Sequence, residues 1–187
     1  MFAQLDTKSV YSFMDSVVDL PSYVKRAKEL GYQALGLMDR DNLYAAYHFA
    51  QLATKNGLRP LIGMEANLVY EGRMIAFRLL AKNNQGYKNL MKLATELSSG
   101  QGEFTALSNY LNEIALILPS EEWEPGMAFE SDVFIGVRPE DAGKEFDYPV
   151  LPLHTVRYFD NADRSTIQML HAISQNVSLS EASICPM

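Results

Sequence analysis

The stretch Ala34-Leu35-Gly36-Leu37-Met38-Asp39-Arg40-Asp41-Asn42-Leu43 decides the fold. Its first four residues form a short apolar run of the kind buried as a strand in a parallel sheet. Asp39 to Asn42 then turns abruptly polar and charged, and apolar residues resume at helical spacing (Ala46, Phe49, Ala50, Ala53) until Gly57 stops them. Asp41 or Asn42 is placed to cap that helix. A strand that ends in acid and base and then feeds a helix is where α/β folds carry their chemistry. The pattern recurs on both sides. Gln4-Leu5-Asp6-Thr7-Lys8 closes a first strand running from about Phe2 to Asp6, and Leu61-Ile62-Gly63-Met64-Glu65 carries a later strand to an acid.

Outward from these junctions, strand and helix alternate. Asp19-Leu20-Pro21 starts a helix with proline in its first turn. Its apolar face is Leu20, Val24, Ala27 and Leu30, and Gly31 follows in the C-terminal cap position. Strands are expected at Leu61–Val69 and Met74–Ala81, joined by the tight turn Glu71-Gly72-Arg73. A helix follows with Tyr87, Leu90, Met91, Ala94 and Leu97 on one face. After the break at Ser98–Gly102 come strands at Ile114–Leu118, Val133–Val137 and Val150–Leu153, then a helix from about Ala162 to Gln175. About seven strands interleaved with helices suggest either a doubly wound sheet or an α/β barrel. The barrel is favoured, because charged residues end several strands instead of gathering at one switch point. Residues 178–187 form no evident element and close on Cys-Pro-Met, as though cut from a longer chain.

Composition bounds the possibilities. A chain of 187 residues with 48% hydrophobic content buries a core and suits one domain. No apolar run is long enough to span a bilayer, and Asp6 and Lys8 interrupt any signal-peptide pattern, so a cytoplasmic protein with no membrane contact is expected. The lone Cys185 excludes a disulfide framework and a thiolate zinc cluster. Only His48, His154 and His171 could supply imidazole. A formal net charge of -7 argues against this chain gripping a phosphate backbone by itself.

Several segments resemble one known family. They are Ser9-Val10-Tyr11-Ser12-Phe13-Met14-Asp15, Val24-Lys25-Arg26-Ala27-Lys28-Glu29-Leu30-Gly31, Asp41-Asn42-Leu43, Leu79-Leu80-Ala81-Lys82-Asn83 and Gly86-Tyr87-Lys88-Asn89-Leu90. Together they resemble the N-terminal PHP (polymerase and histidinol phosphatase) domain of bacterial DNA polymerase III alpha subunits of the Gram-positive type. The resemblance implies one domain over residues 1–187 with a distorted seven-stranded (βα)7 PHP-type barrel. It implies a parent that carries out DNA-directed DNA synthesis in replication, with Mg bound by a palm domain that lies outside this chain. Partners implied are the palm and thumb of the same polymerase and other replication proteins, with primer-template DNA reached only through the full-length protein.

Active PHP domains hold metal ions at the C-terminal strand ends through histidines and carboxylates, which lowers the pKa of a bridging water and clamps a phosphoester. Mapped onto this chain, the family's His-x-His falls on Asp6 and Lys8, and its following acid on Asp15. The Thr-Asp-His motif reads Met38-Asp39-Arg40, the glutamate is Glu65, a later histidine falls on Ala76, and the closing Asp-x-His falls on Thr155 and Arg157. A charged lysine has no lone pair to give, and arginine stays protonated. The resemblance therefore implies a vestigial site (Asp6, Lys8, Asp15, Asp39, Arg40, Glu65, Thr155, Arg157) in which cations from the protein balance the remaining acids, with no intact catalytic set, no metal and no cofactor. Carboxylates crowded in a cleft require some positive partner.

Other readings compete at individual residues. Asp15 and Glu65 could together hold one weakly bound Mg ion. Asp39 could be a general base, but just before a helix it is better placed to cap backbone N–H groups. Arg40 and Arg157 could bind a phosphate instead of pairing internally. His48 and His171 read as packing or surface histidines, and His154 lies on the strand face opposite the site. Glu121-Glu122-Trp123-Glu124-Pro125 reads as a solvated acidic loop with one packing aromatic. The rival to an inert module is an active metal-dependent phosphoesterase, of 3'-5' exonuclease or pyrophosphatase-like type.

Overall fold

The computed structural model describes residues 3–100, 102–129, 132–141 and 143–182, so the expectations for Phe2 and for Cys185 to Met187 lie outside the described residues. The first strand is interrupted at Leu5 into β1 (Ala3–Gln4) and β2 (Asp6–Thr7). Helix α1 (Leu20–Glu29) starts where Asp19 accepts the Ser22 N–H at 3.0 Å, with Pro21 in its first turn. Then come β3 (Ala34–Leu37), α2 (Ala46–Lys55), and the long hairpin of β4 (Arg59–Tyr70) and β5 (Arg73–Ala81), turned by Glu71 and Gly72, both at positive φ. Helix α3 (Asn84–Ser98) is capped by Asn83, and the five-residue α4 (Phe104–Ser108) follows. The remaining elements are β6 (Ile114–Pro119), β7 (Asp132–Val137), β8 (Val150–Pro152), β9 (Thr155–Val156) and α5 (Asn161–Gln175).

The main sheet runs β1-β3-β4-β5-β6-β7-β8. Its neighbours are parallel except around β5, which is antiparallel to both β4 and β6. The edges of this curled sheet meet where β2 pairs in parallel with β9, Asp6 opposite Thr155 and Thr7 opposite Val156. With β1/β2 and β8/β9 each read as one interrupted strand, seven strands curl into the expected PHP-type barrel. The departure from strict strand–helix alternation is the β4–β5 hairpin, whose turn was legible in Glu71-Gly72-Arg73. Closure depends on close backbone approach: a Cβ on Gly36 would stand 1.9 Å from the Leu5 carbonyl oxygen.

Three apolar clusters fill the fold. Met38, Ile117 and Leu153, with Leu5, Leu80, Phe134 and Leu151, occupy the barrel interior. Helices α1 and α2 bury Tyr23, Val24, Ala27, Phe49 and Ala53 against β3. The largest cluster seats α3 and α4 on β4 to β7 around Phe77, Leu90, Leu93 and Leu107.

Helical periodicity misplaced two side chains. Leu30 is 63% exposed because it is the C-cap of α1, and Tyr23 takes the buried place; Met91 lies on the outer side of α3. Nor do Asp41 or Asn42 cap α2. That helix begins after Ala45 with no side-chain cap, while Asn42 closes a turn on the Tyr44 N–H and Asp41 holds the Asn67 backbone and amide. Trp123 packs edge-on against Phe146, as expected for the acidic loop. Among the described residues no helix is long and apolar enough to cross a membrane.

Candidate functional site

Residues at the ends of β2 and β3, within β4 and β5 and at the start of β9 converge on a buried knot of charge. Alternation along a strand explains why: residues two apart share a face. Asp6 with Lys8, Ala76 with Arg78, and Thr155 with Arg157 therefore point the same way. Lys8 sits at the centre with no solvent exposure. Its ammonium has three protons to donate, and it has three acceptors: Asp6 Oδ1 at 2.7 Å, the Met38 carbonyl at 2.6 Å and Glu65 Oε2 at 3.0 Å.

Arg78 is the second buried cation. Its Nε reaches Asp6 Oδ2 at 3.1 Å, its other arm reaches Glu65 Oε2 at 3.1 Å, and NH1 donates to the Ala76 carbonyl at 2.6 Å. Thr155 donates to Asp6 Oδ2 at 2.7 Å. Arg40 links the buried layer to the rim, binding Glu65 Oε1 at 3.0 Å and Asp15 Oδ2 at 2.9 Å. Asp15 Oδ1 takes Arg157 Nε at 3.0 Å, with His171 Nε2 at 3.4 Å. Asp39 is engaged by hydroxyls and backbone: Oδ1 accepts from the Ser9 N–H and the Ser12 hydroxyl, and Oδ2 from the Ser9 hydroxyl, each at 2.7 Å.

The electrostatics follow from this packing. Burial alone would push the Asp6 carboxyl up; Lys8 and then Arg78 outweigh it and hold Asp6 below its ordinary value. Glu65 follows the same logic, burial opposed first by Lys8, then by Arg78 and Arg40, and is held well below the usual carboxylate range. Burial pulls Arg78 down, but Asp6 and Glu65 raise it above its ordinary value. These groups stay ionised because each is the other's counter-charge.

Every residue mapped from the resemblance is thus brought together except Ala76, which contributes only its carbonyl, and Asp39, which stays on the serine loop. Asp39 does not cap the helix. Arg40 and Arg157 both converge on Asp15, so the phosphate reading finds them engaged internally. His48 and His154 are exposed and outside the knot; the His154 carbonyl instead accepts from Gln4 at 2.7 Å.

Sequence reasoning missed Arg78 and His171. For Arg78 the signal was present: a cation interrupts the apolar run Ile75-Ala76-Phe77-Arg78-Leu79-Leu80 on the face of Ala76, and the small alanine leaves that face to the guanidinium. His171 carries no such mark, because its acid lies at the other end of the chain.

As a metal centre the donor set fits poorly. Both oxygens of each of Asp6, Asp15, Asp39 and Glu65 are already engaged by donors of the protein. The nitrogens lie 2.7 to 3.1 Å from the carboxylates of Asp6, Asp15 and Glu65, too close and too positive for a cation to enter between them at roughly 2.0–2.6 Å from the oxygens. Among the described residues no group of His, Cys, Asp and Glu is arranged to hold an ion.

Fold and site together define an α/β barrel whose mouth is closed by paired charges. Residues 4–129 match the PHP domain family, and the chain belongs to it. Over 98% of its length it is 46% identical to DNA polymerase III subunit alpha of Streptococcus pyogenes, covering 18% of that protein. It is 31% identical to an error-prone DNA polymerase of Corynebacterium glutamicum, over 88% of the chain and 15% of the relative. The chain therefore spans less than a fifth of these relatives. Among solved structures, an amidohydrolase from Chromobacterium violaceum matches with a TM-score of 0.44 and 18% identity, over 52% of this chain and 34% of that one.

Proposed function

We propose that this chain is the PHP domain of a replicative DNA polymerase III alpha subunit, and that it serves as a structural module in which side-chain cations stand where relatives of the family hold metal. Nucleotidyl transfer, with its Mg ions, belongs to the polymerase palm outside this chain. The domain's partners are the palm and thumb of the same polypeptide and other replication proteins of the cytoplasm. The identity to the Streptococcus polymerase supports the parentage.

One observation carries the reading of the site: the Lys8 ammonium lies between Asp6 and Glu65, donating to Asp6 and the Met38 carbonyl and ion-paired with Glu65. A phosphoesterase needs that place for an ion and its activated water. A lysine satisfied in this way supplies neither a Lewis acid nor a free base.

The test is metal analysis of the purified protein together with its melting temperature in Mn, Zn and EDTA. An ion present at 100 times its dissociation constant adds about 2.7 kcal/mol to stability. We expect sub-stoichiometric metal and no shift. A stoichiometric ion, a melting temperature raised by Mn or Zn, or metal-dependent hydrolysis of phosphoesters would establish the phosphoesterase instead.

A further inference from the structure

A cavity of about 270 Å³ opens between α1, β9 and α5. Strand alternation places it behind the charged knot. Thr155 and Arg157 reach from β9 to Asp6 and Asp15, so His154, Val156 and Tyr158 face the other way, into the cavity. Thr155 and Arg157 form the edge that it shares with the knot. Tyr23, Arg26, Ala27 and Leu30 line it from α1, Tyr32 from the turn that follows, and Ile167 from α5.

Its lining is aromatic and carries no acid. The rings of Tyr23, Tyr32, Tyr158 and Phe159 all border it, and Tyr23 stacks on Phe159 at 6.3 Å. The chain has 23 acidic side chains against 16 Lys and Arg, yet no described Asp or Glu lines this cavity, whereas Arg26, Arg157 and His154 do. Its polar groups fall into two sets. The Gln4 amide donates to the Asp6 and His154 carbonyls, the Tyr23 hydroxyl accepts from Thr7 and donates to the Gly36 carbonyl, and Thr155 is held on Asp6. The Arg26 guanidinium, the His154 imidazole and the Tyr158 hydroxyl have no protein partner among the described residues. In the knot, by contrast, every charge is engaged within the protein.

We propose that this cavity binds a small aromatic anion, with its ring against Tyr158 and Phe159 and its carboxylate or phosphate on Arg26 and His154. Apolar, ring-lined cavities with a few converging polar groups are where small molecules bind. Guanidinium takes a carboxylate or a phosphate through two parallel bonds, and no acid in the lining competes with the ligand for Arg26. The volume falls just short of the roughly 300–1,000 Å³ typical of ligand pockets, which limits the ligand to about one ring system with one acidic group. Binding has a consequence for the fold. Val156 pairs with Thr7 where the barrel closes, so a ligand held between α1 and β9 braces that closure and stabilises the folded chain. The proposal does not depend on the polymerase parentage.

The test is titration of the purified protein with 4-hydroxybenzoate and with thymidine 5'-monophosphate, followed by amide NMR and melting temperature. Their neutral counterparts, 4-hydroxybenzyl alcohol and thymidine, and inorganic phosphate alone are run beside them. We expect at least one of the two anions to bind with a submillimolar Kd, to shift the amide signals of Ala27, Val156 and Ile167, and to raise the melting temperature. Which of them binds tells carboxylate from phosphate. The neutral counterpart should bind about tenfold more weakly or worse. Arg26→Gln changes an exposed side chain, leaves the fold intact, and should weaken the anion about tenfold; Tyr158→Ala should weaken it as well. Four results overturn the proposal: no shift with either anion, shifts centred on Ser12 and Arg40 at the barrel mouth, binding indifferent to Arg26→Gln, or inorganic phosphate binding as well as the aromatic anion, which would mean an adventitious ion only.

Discussion

Replacing Arg78 by methionine keeps most of its length and removes its charge. Arg78 is 7% exposed and, among the described residues, is the only donor besides Thr155 at Asp6 Oδ2, and besides Lys8 at Glu65 Oε2. Its loss leaves Asp6 with Lys8 as its remaining cation, shared with Glu65, which keeps Arg40 on Oε1. Breaking a buried pair by removing one partner costs roughly 3–5 kcal/mol, because the surviving charge stays desolvated, and Arg78 serves both acids. We expect Arg78→Met to lose about that much stability in urea at pH 7. The loss should depend on pH in a fixed direction. Asp6 and Glu65 titrate lower in the folded chain than in the unfolded one. Their ionised forms therefore stabilise the fold; the contribution is complete above their ordinary values near pH 4 and disappears as pH falls through the folded ones. In the variant one carboxyl takes up a proton more readily, so the gap between variant and wild type should be widest above about pH 5 and narrow in acid. Arg78→Lys, which keeps the charge without the fork, should recover part of the loss. A cost below about 1 kcal/mol, the range of exposed pairs, or a gap indifferent to pH, would refute the claim that this knot holds the strand ends.

Wild-type stability should stay level from neutrality down to about pH 5 and fall below about pH 4, as a series of urea melts across pH will show. Asp39→Asn turns one acceptor into a donor facing Ser9 or Ser12, and should cost about 1–3 kcal/mol with faster hydrogen exchange at the Ser9 amide. Asp19→Ala removes the cap of α1 and should cost about 1 kcal/mol in the same melts. Gly36→Ala brings a methyl to 1.9 Å from the Leu5 carbonyl; circular dichroism should find no cooperative melt.

Much of the barrel could be read from the chain because each apolar run is flanked by local punctuation. Gly31 and Gly57 end helices, Glu71-Gly72 turns a hairpin, and the residues at Leu35 and Leu116 have no polar alternative to burial. Less legible was whatever depended on partners far along the sequence. Asp41 and Asn42 make good helix caps by type, yet the chain spends them on Asn67 and on the turn before Ala45. Leu30 fits the helical spacing but falls at a terminus, where the face no longer meets the sheet. At the site, Lys8, Arg40 and Arg157 stood out because a cation at a position meant for a neutral or anionic donor contradicts the motif around it. Arg78 sits two residues from its motif position, and only strand alternation connects the two. His171 needs the whole fold.

The charged residues of the knot make sense as a set rather than one at a time. Lys8 at the end of β2 bonds the Met38 carbonyl beyond β3 and Glu65 on β4; Glu65 bonds Arg78 on β5; Arg78 bonds Asp6, which Thr155 joins from β9. That circuit ties five strands together and includes the β2–β9 pair that closes the barrel. A metal cluster can make the same ties only while ions are supplied and its histidines are neutral. Ammonium and guanidinium groups are attached to the strands they join and need no supply from solution. Restoring a single ligand, as in Lys8→His, would leave Arg78 and Arg40 beside the new imidazole and Asp6 short of a counter-charge. Such a variant would lose the Lys8 ion pairs to Asp6 and Glu65 and gain only an imidazole crowded by two cations.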